Sequence, residues 1–270
     1  MIVGFFKGLT KFEKIWFGVF AAAILGSTIA LNLSTPGKGG IGMALLNWVV
    51  APLSALTGII TVVLCAKGNI YNFAFGIVNA AAYGWVAWVS GYYGDWLLNW
   101  FYFLPTQVLI YFSWRHRLRP DKPDIVRMRR LRGREIFAVS LIGFAALVGF
   151  GLFLLKVDHW FTEYMKRSAG IYSNITALYG WALLGPLCDS ATEVFQIIAQ
   201  ILCIRRQAEQ WIFWIATNVL TVLMWVAVVV TDKSSLSWAV PTLVMWAAFL
   251  VNSFWGLRIW MRNSKGASRL

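Results

Sequence analysis

Residues 189–200 read DSATEVFQIIAQ. The stretch opens an apolar segment, running on to Ile204, of the length that crosses a bilayer. Yet two carboxylates and two glutamines stand inside it. A helix advances about 100° per residue, so positions 189, 193, 196 and 200 fall within roughly 60° of one another. Asp189, Glu193, Gln196 and Gln200 therefore make one polar stripe, while Phe195, Ile197 and Ile201 face elsewhere. A carboxylate turned to lipid would cost on the order of 3 kcal/mol or more. The stripe must face protein or a watery chamber, with Asp189 near the outer mouth and Glu193 and Gln196 deeper.

Composition agrees with a lipid solvent. The chain has 270 residues, 59% hydrophobic and 13% charged, with mean hydropathy +0.66. A soluble domain of that length could not hide so much apolar surface. Eight apolar runs of spanning length recur, at 14–33, 46–65, 70–90, 95–114, 135–156, 181–204, 211–231 and 237–260. The sixth begins near Trp181 if Gly185–Pro186 is a kink, and near Leu187 if it is a loop. The pattern predicts an all-α integral membrane protein with eight transmembrane helices.

The net charge of +13 is distributed by side. With the N-terminus inside, 19 of the 24 Lys and Arg fall on inner segments, as the positive-inside rule requires. Both termini are then cytoplasmic. The densest run, WRHRLRPDKPDIVRMRRLRGRE (114–135), faces anionic membrane lipids in this reading, not nucleic acid. Cys65, Cys188 and Cys203 show no metal spacing, and the two histidines fall in loops on opposite sides. No cofactor, metal or catalytic set is expected, so the chain does not read as an enzyme.

A faint internal repeat supplies the organisation. An offset of 142 lays Asn69, Asn72, Gly76 and Tyr83 over Trp211, Trp214, Asn218 and Trp225. An offset of 146 lays Trp100, Phe103, Leu104 and Trp114 over Trp246, Phe249, Leu250 and Trp260. Residues 1–40 read as an extra N-terminal helix and 46–114 as a first three-helix bundle. Residues 115–180 hold the basic loop, a linker helix and an outer loop; 181–262 form a second bundle and 263–270 a tail. An odd bundle joined through one linker helix gives parallel repeats, a 3+1+3 plan with a site on the axis between them.

Polar groups on other spans should meet the stripe there: Asn72, Asn79 and Tyr83; Asn99, Thr106 and Gln107 beside a kink at Pro105; Thr217 and Asn218; Asn252 and Ser253. Single buried amides can also simply hold helices together, for about 1 kcal/mol. As a set they are rich in amides, which both donate and accept, and suit a small solute bearing hydroxyls and an amide. Sixteen tryptophans add to this. Many fit interfacial belts; Trp85, Trp88, Trp181, Trp214, Trp225 and Trp246 lie deeper or on faces with polar neighbours, where an aromatic wall could meet a flat cation.

The segment WIFWIATN (211–218) carries W-x-x-W-x-x-x-N, which resembles the signature of the Pnu family of bacterial vitamin transporters. GNIYNFAFGIVNAAAYGW (68–85) and GYYGDWLLNWFYF (91–103) resemble further segments of that family, so the likeness spans about 46–262. It implies a SWEET-like fold in the bacterial cytoplasmic membrane and uptake of nicotinamide riboside by facilitated diffusion. A separate cytoplasmic kinase would trap the solute by phosphorylation. On that basis the substrate-binding residues are expected to be Asn72, Tyr83, Gln107, Glu193, Gln196, Trp214, Asn218 and Asn252, with Trp181 and Trp211 gating or packing. Thiamine or another flat vitamin, and a proton-coupled cycle through Glu193, remain open alternatives. Exposed aromatic faces leave room for a homo-oligomer.

Overall fold

The computed structural model describes residues 9–34, 40–164 and 170–264. Most of the expected 263–270 tail, and Lys7, Lys38, Lys166, Arg167, Lys265 and Arg269 of the charge tally, lie outside them. The helices in chain order are α1 (Lys11–Ser34), α2 (Gly40–Ala66), α3 (Asn72–Ser90), α4 (93–115), α5 (Gly133–Tyr164), α6 (Gly170–Tyr179), α7 (Leu184–Ile204), α8 (Gln210–Thr231) and α9 (Leu236–Asn263). Seven of them, all but α4 and α6, are long and apolar enough to cross a membrane. The chain is an all-helical multi-pass membrane protein.

The expected span 95–114 is the exception. It is built from three consecutive pieces: α over Tyr93–Leu97, π over Leu98–Phe103, and α over Leu104–Arg115. Pro105 is the cause, because it has no N–H to give the carbonyl one turn back and its ring crowds that carbonyl. Widening the turn before it relieves both problems: the Leu104 N–H bonds Asn99 O, five residues back. Pro52 acts in the same way in α2, where Leu46–Val50 is π and the Ala51 N–H bonds Leu46 O.

α1 starts on a capping box. The Thr10 N–H donates to Glu13 Oε2 at 2.7 Å, and the Glu13 N–H to Thr10 Oγ1 at 3.2 Å. Glu13 also pairs with Lys67 at 2.9 Å, tying α1 to the end of α2. α5 is longer than its expected 135–156 and lies on the outside, packing through Gly143 and Gly151 against Ile198 and Ser190 of α7. A short unexpected helix, α6, follows it. α7 begins at Leu184, so neither expected start holds: Gly185 and Pro186 lie inside the first turn. Proline is tolerated there, where its missing N–H has no helical partner to lose. Gly185 lets the turn press on Tyr172, since a Cβ would sit 3.1 Å from the Tyr172 Cα.

Two turns at the basic end match closely. Lys67, Gly68 and Asn69 donate their N–H groups to Val63, Cys65 and Leu64; Arg205, Arg206 and Gln207 donate theirs to Ile201, Cys203 and Leu202. Gly68 and Arg206 are both left-handed, at φ 67° and 61°. The offset is 138, one helical turn short of the expected 142. Trp114 Nε1 donates to Cys203 O at 3.0 Å, and Trp260 Nε1 to Cys65 O at 3.1 Å, so each indole closes on one of these two turns.

The basic run, expected as a loop beside lipid headgroups, contains regular structure. Leu118–Arg119 and Lys122–Val126 form a small antiparallel hairpin, β1 and β2. The strand then continues across both turns. The Ile70 N–H donates to Asp124 O and the Val126 N–H to Gly68 O; the Arg129 N–H donates to Arg206 O and the Ala208 N–H to Arg129 O. Val126 and Met128 are buried between Trp114, Trp211 and Trp260. Apolar residues alternating with arginines let this strap seal protein on one face and meet water on the other.

Candidate functional site

A chamber lies between α2, α3, α4, α7, α8 and α9. Its polar lining is built from amides: Asn72, Asn79, Asn99, Gln107, Gln196, Gln200 and Asn218, with Tyr83, Thr61 and Ser253. Its aromatic lining is Phe73, Phe103, Trp211, Trp214, Trp246 and Phe249. No Lys, Arg, His, Asp or Glu is among the described residues that line it.

The opening stripe is thus split. Gln196 and Gln200 reach the chamber, whereas Asp189 and Glu193 do not. Gly94 makes the difference: α4 crosses α7 so closely that a Cβ there would stand 2.8 Å from the Asp189 Cγ and the Glu193 Cγ. Both acids are sealed under that crossing with no exposure. Asp189, expected near a mouth, is held by the Tyr172 hydroxyl and by the Gly94 N–H at 3.1 Å. Glu193, expected to touch substrate, lies one layer behind the wall beside Asp95.

Asp95 is the site residue that sequence reasoning missed. Tyr83 donates to its Oδ2 at 2.5 Å and Gln196 Nε2 to its Oδ1 at 2.8 Å. Trp225 Nε1 donates to the Tyr83 hydroxyl at 3.4 Å. One carboxyl group therefore fixes two chamber residues on two helices, α3 and α7. The Y-G-D run (93–95) was visible, but counting a span from residue 95 placed that aspartate at the helix mouth. The π segment and the Gly94 crossing carry it inside.

The remaining expected residues divide as follows. Asn72 bonds Asn69 O at 2.6 Å and lines the chamber; Gln107 lines it with Oε1 unpartnered. Asn218 donates to Ser253 Oγ at 2.7 Å, and its own Oδ1 is buried without a partner among the described residues. Trp214 faces Phe103 across 6.4 Å. Trp211 lines the basic end, wedged against Gly256 and Trp260, where Gly256 has no room for a Cβ. Asn252 turns away: it donates to Val62 O at 2.8 Å and lines an outer groove beside Phe12 and Trp16. Its neighbour Ser253, about 100° round the helix, takes the inward place. Trp181 is 51% exposed in the turn before α7 and does not reach the chamber, so it is not a gate there.

A buried chamber walled by amides, with donors and acceptors left open, is what a carrier of a polar solute needs. The family model for nicotinamide mononucleotide transporters matches residues 48–262. The chain belongs to this family. It is a family of transporters, not of enzymes. Among its relatives, the nicotinamide riboside transporter PnuC of Neisseria mucosa is 28% identical over 261 residues, 96% of this chain and 84% of that protein. The Haemophilus influenzae protein of the same name is 28% identical over 262 residues, covering 97% and 94%. A crystal structure of the vitamin B3 transporter PnuC superposes with a TM-score of 0.66 at 28% identity, covering 96% of this chain and 94% of that one.

Proposed function

We propose that the chain takes up nicotinamide riboside by facilitated diffusion and that the chamber is its binding site. The family description names the mononucleotide and the relatives' names the riboside, which differ by one phosphate. The lining favours the riboside. A phosphate needs Arg, Lys or an array of N–H donors, and no cationic side chain stands in the described wall. Amides and indoles suit ribose hydroxyls, a carboxamide and a flat cationic ring instead. Asn72, Tyr83, Gln107, Gln196, Trp214 and Asn218 are the substrate-binding residues in this reading, with Asp95 behind them.

The finer architecture belongs to the same proposal. The segment 93–115 serves as an eighth span, and the two matched turns mark parallel three-helix repeats in a SWEET-like 3+1+3 plan. The extra helix is α1, the bundles fall at 46–114 and 181–262, and α5 links them. The basic end faces the cytoplasm, so both termini lie inside the cytoplasmic membrane. Rocking of the bundles about the chamber gives alternating access, and a cytoplasmic kinase traps the solute.

Proteoliposomes test this directly. Labelled nicotinamide riboside should enter, and excess unlabelled mononucleotide should not compete. Competition by the mononucleotide at equal concentration would overturn the reading. A proton-coupled cycle has one observation in its favour, the carboxyls of Glu193 and Asp95 side by side behind the wall. An uptake rate that follows an imposed proton gradient would establish it in place of uniport.

A further inference from the structure

The strap brings four arginines together. The Arg127 N–H donates to Arg117 O at 3.1 Å, the Arg129 N–H to Arg206 O at 2.8 Å, and Arg206 Nη1 to Arg127 O at 3.2 Å. Among the described residues no carboxylate pairs with any of the four. Of the nearby acids, Asp121 pairs with Arg119, Glu209 with Arg130 and Glu135 with Arg205, while Asp124 on β2 is exposed to solvent. Arg206 is 9% exposed, and a guanidinium carries five N–H donors, of which one bond accounts for one. Burial, and then the charges of Arg117, Arg129 and Arg127, disfavour its charged form. Its backbone is left-handed where the matching turn uses Gly68, a conformation costing a side-chain-bearing residue about 1 kcal/mol. A solvated positive-inside loop explains Arg117, Arg127 and Arg129 singly. It does not explain a buried fourth arginine packed among them. A groove lined by Arg119, Val126, Arg127 and Asn263 runs alongside; Asp121 also lines it but is held by Arg119 at 2.8 Å.

We propose that Arg117, Arg127, Arg129 and Arg206 form a binding site for a phosphate group at the basic end. Planar guanidinium forks match phosphate oxygens in pairs. A phosphate there neutralises the cluster and joins the strap side chains to the turn of the second bundle, beside the main-chain bonds already present. The same chemistry is offered by a phospholipid headgroup and by a free phosphate or phosphate monoester. The site is separate from the chamber and does not depend on which solute the chamber takes.

The test uses the full chain in dodecyl maltoside micelles, which carry no phosphate. Inorganic phosphate is added in one arm and phosphatidylglycerol in another, each against chloride at equal ionic strength. A ligand at about ten times its Kd should raise the melting temperature by about 2–5 °C. A response to inorganic phosphate identifies a free-anion site; a response to phosphatidylglycerol alone identifies a headgroup site. Arg206→Gly keeps the backbone, because glycine accepts a positive φ, and should abolish the response. Arg129→Gln, which leaves the strap's main-chain bonds intact, should weaken it several-fold. No response in either arm, or an equal response in both variants, overturns the proposal.

Discussion

Asp95→Ala separates a positioning carboxyl from a merely buried one. The substitution removes the acceptor for the Tyr83 hydroxyl and for Gln196 Nε2. Each buried donor left unpaired costs about 1–3 kcal/mol. Part of that is lost from folding, and part from ligand binding once Gln196 and Tyr83 leave their bound orientations. If about 1–2 kcal/mol falls on binding, affinity for nicotinamide riboside drops roughly 5–30-fold. Calorimetric titration of the purified protein reads affinity, and a thermal melt reads stability. Asp189→Asn is the control: it lies in the same buried group but bonds Tyr172 and Gly94, neither of which lines the chamber. It should lower the melting temperature with affinity changed less than about 3-fold. A cycle with Gln196→Ala completes the test, because residues acting through one another are non-additive. The reasoning is refuted if folded Asp95→Ala binds as wild type does, or if its loss simply adds to that of Gln196→Ala.

Asn218→Ala should weaken binding about 5-fold or more, measured by competition with labelled riboside, because it removes both the Ser253 bond and the open Oδ1. Gly76→Ala places a methyl 3.2 Å from Gln107 Nε2. It should lower affinity through crowding, with the melting temperature nearly unchanged. Glu193→Gln should retain uptake that is insensitive to an imposed proton gradient; loss of gradient dependence in this variant alone would instead show coupling. The Cys65 and Cys203 thiols meet at the basic end of the chamber. Diamide should therefore link them in a Cys188→Ser background and arrest uptake, and Cys203→Ser should abolish the effect.

The helical plan was legible because lipid leaves few alternatives: every backbone N–H must be satisfied within the span, so apolar runs of sufficient length declare themselves. The polar stripe was legible because 3.6 residues per turn fixes which side chains share a face. That is why Gln196, Asn72, Tyr83, Gln107, Trp214 and Asn218 all arrive at the chamber. What periodicity cannot give is depth behind the wall. Glu193 and Gln196 lie on one face, yet the backbone of Gly94 covers one and leaves the other open. Asn252 and Ser253 are adjacent in sequence, and only the packing of α2 against α9 decides which turns inward. Trp181 read as a deep aromatic because the helix was begun three residues too early.

The separation of charge from contact is the chemical consequence of that layering. A bare carboxylate in the wall would hold a cationic solute strongly and slow its release, and a carrier must let go as readily as it binds. Here the Asp95 carboxyl does not itself line the chamber; it is bonded by the Tyr83 hydroxyl and the Gln196 amide. Both can bond a neutral hydroxyl or carboxamide while carrying polarisation from the acid behind them. In the proposed binding mode the ligand meets those two groups and leaves the Asp95 carboxyl buried. If this division of labour holds, bringing the charge forward with Gln196→Glu should tighten binding of a cationic nucleoside while lowering its maximal flux. A variant that bound more tightly and transported faster would show that release is not what the amide wall protects.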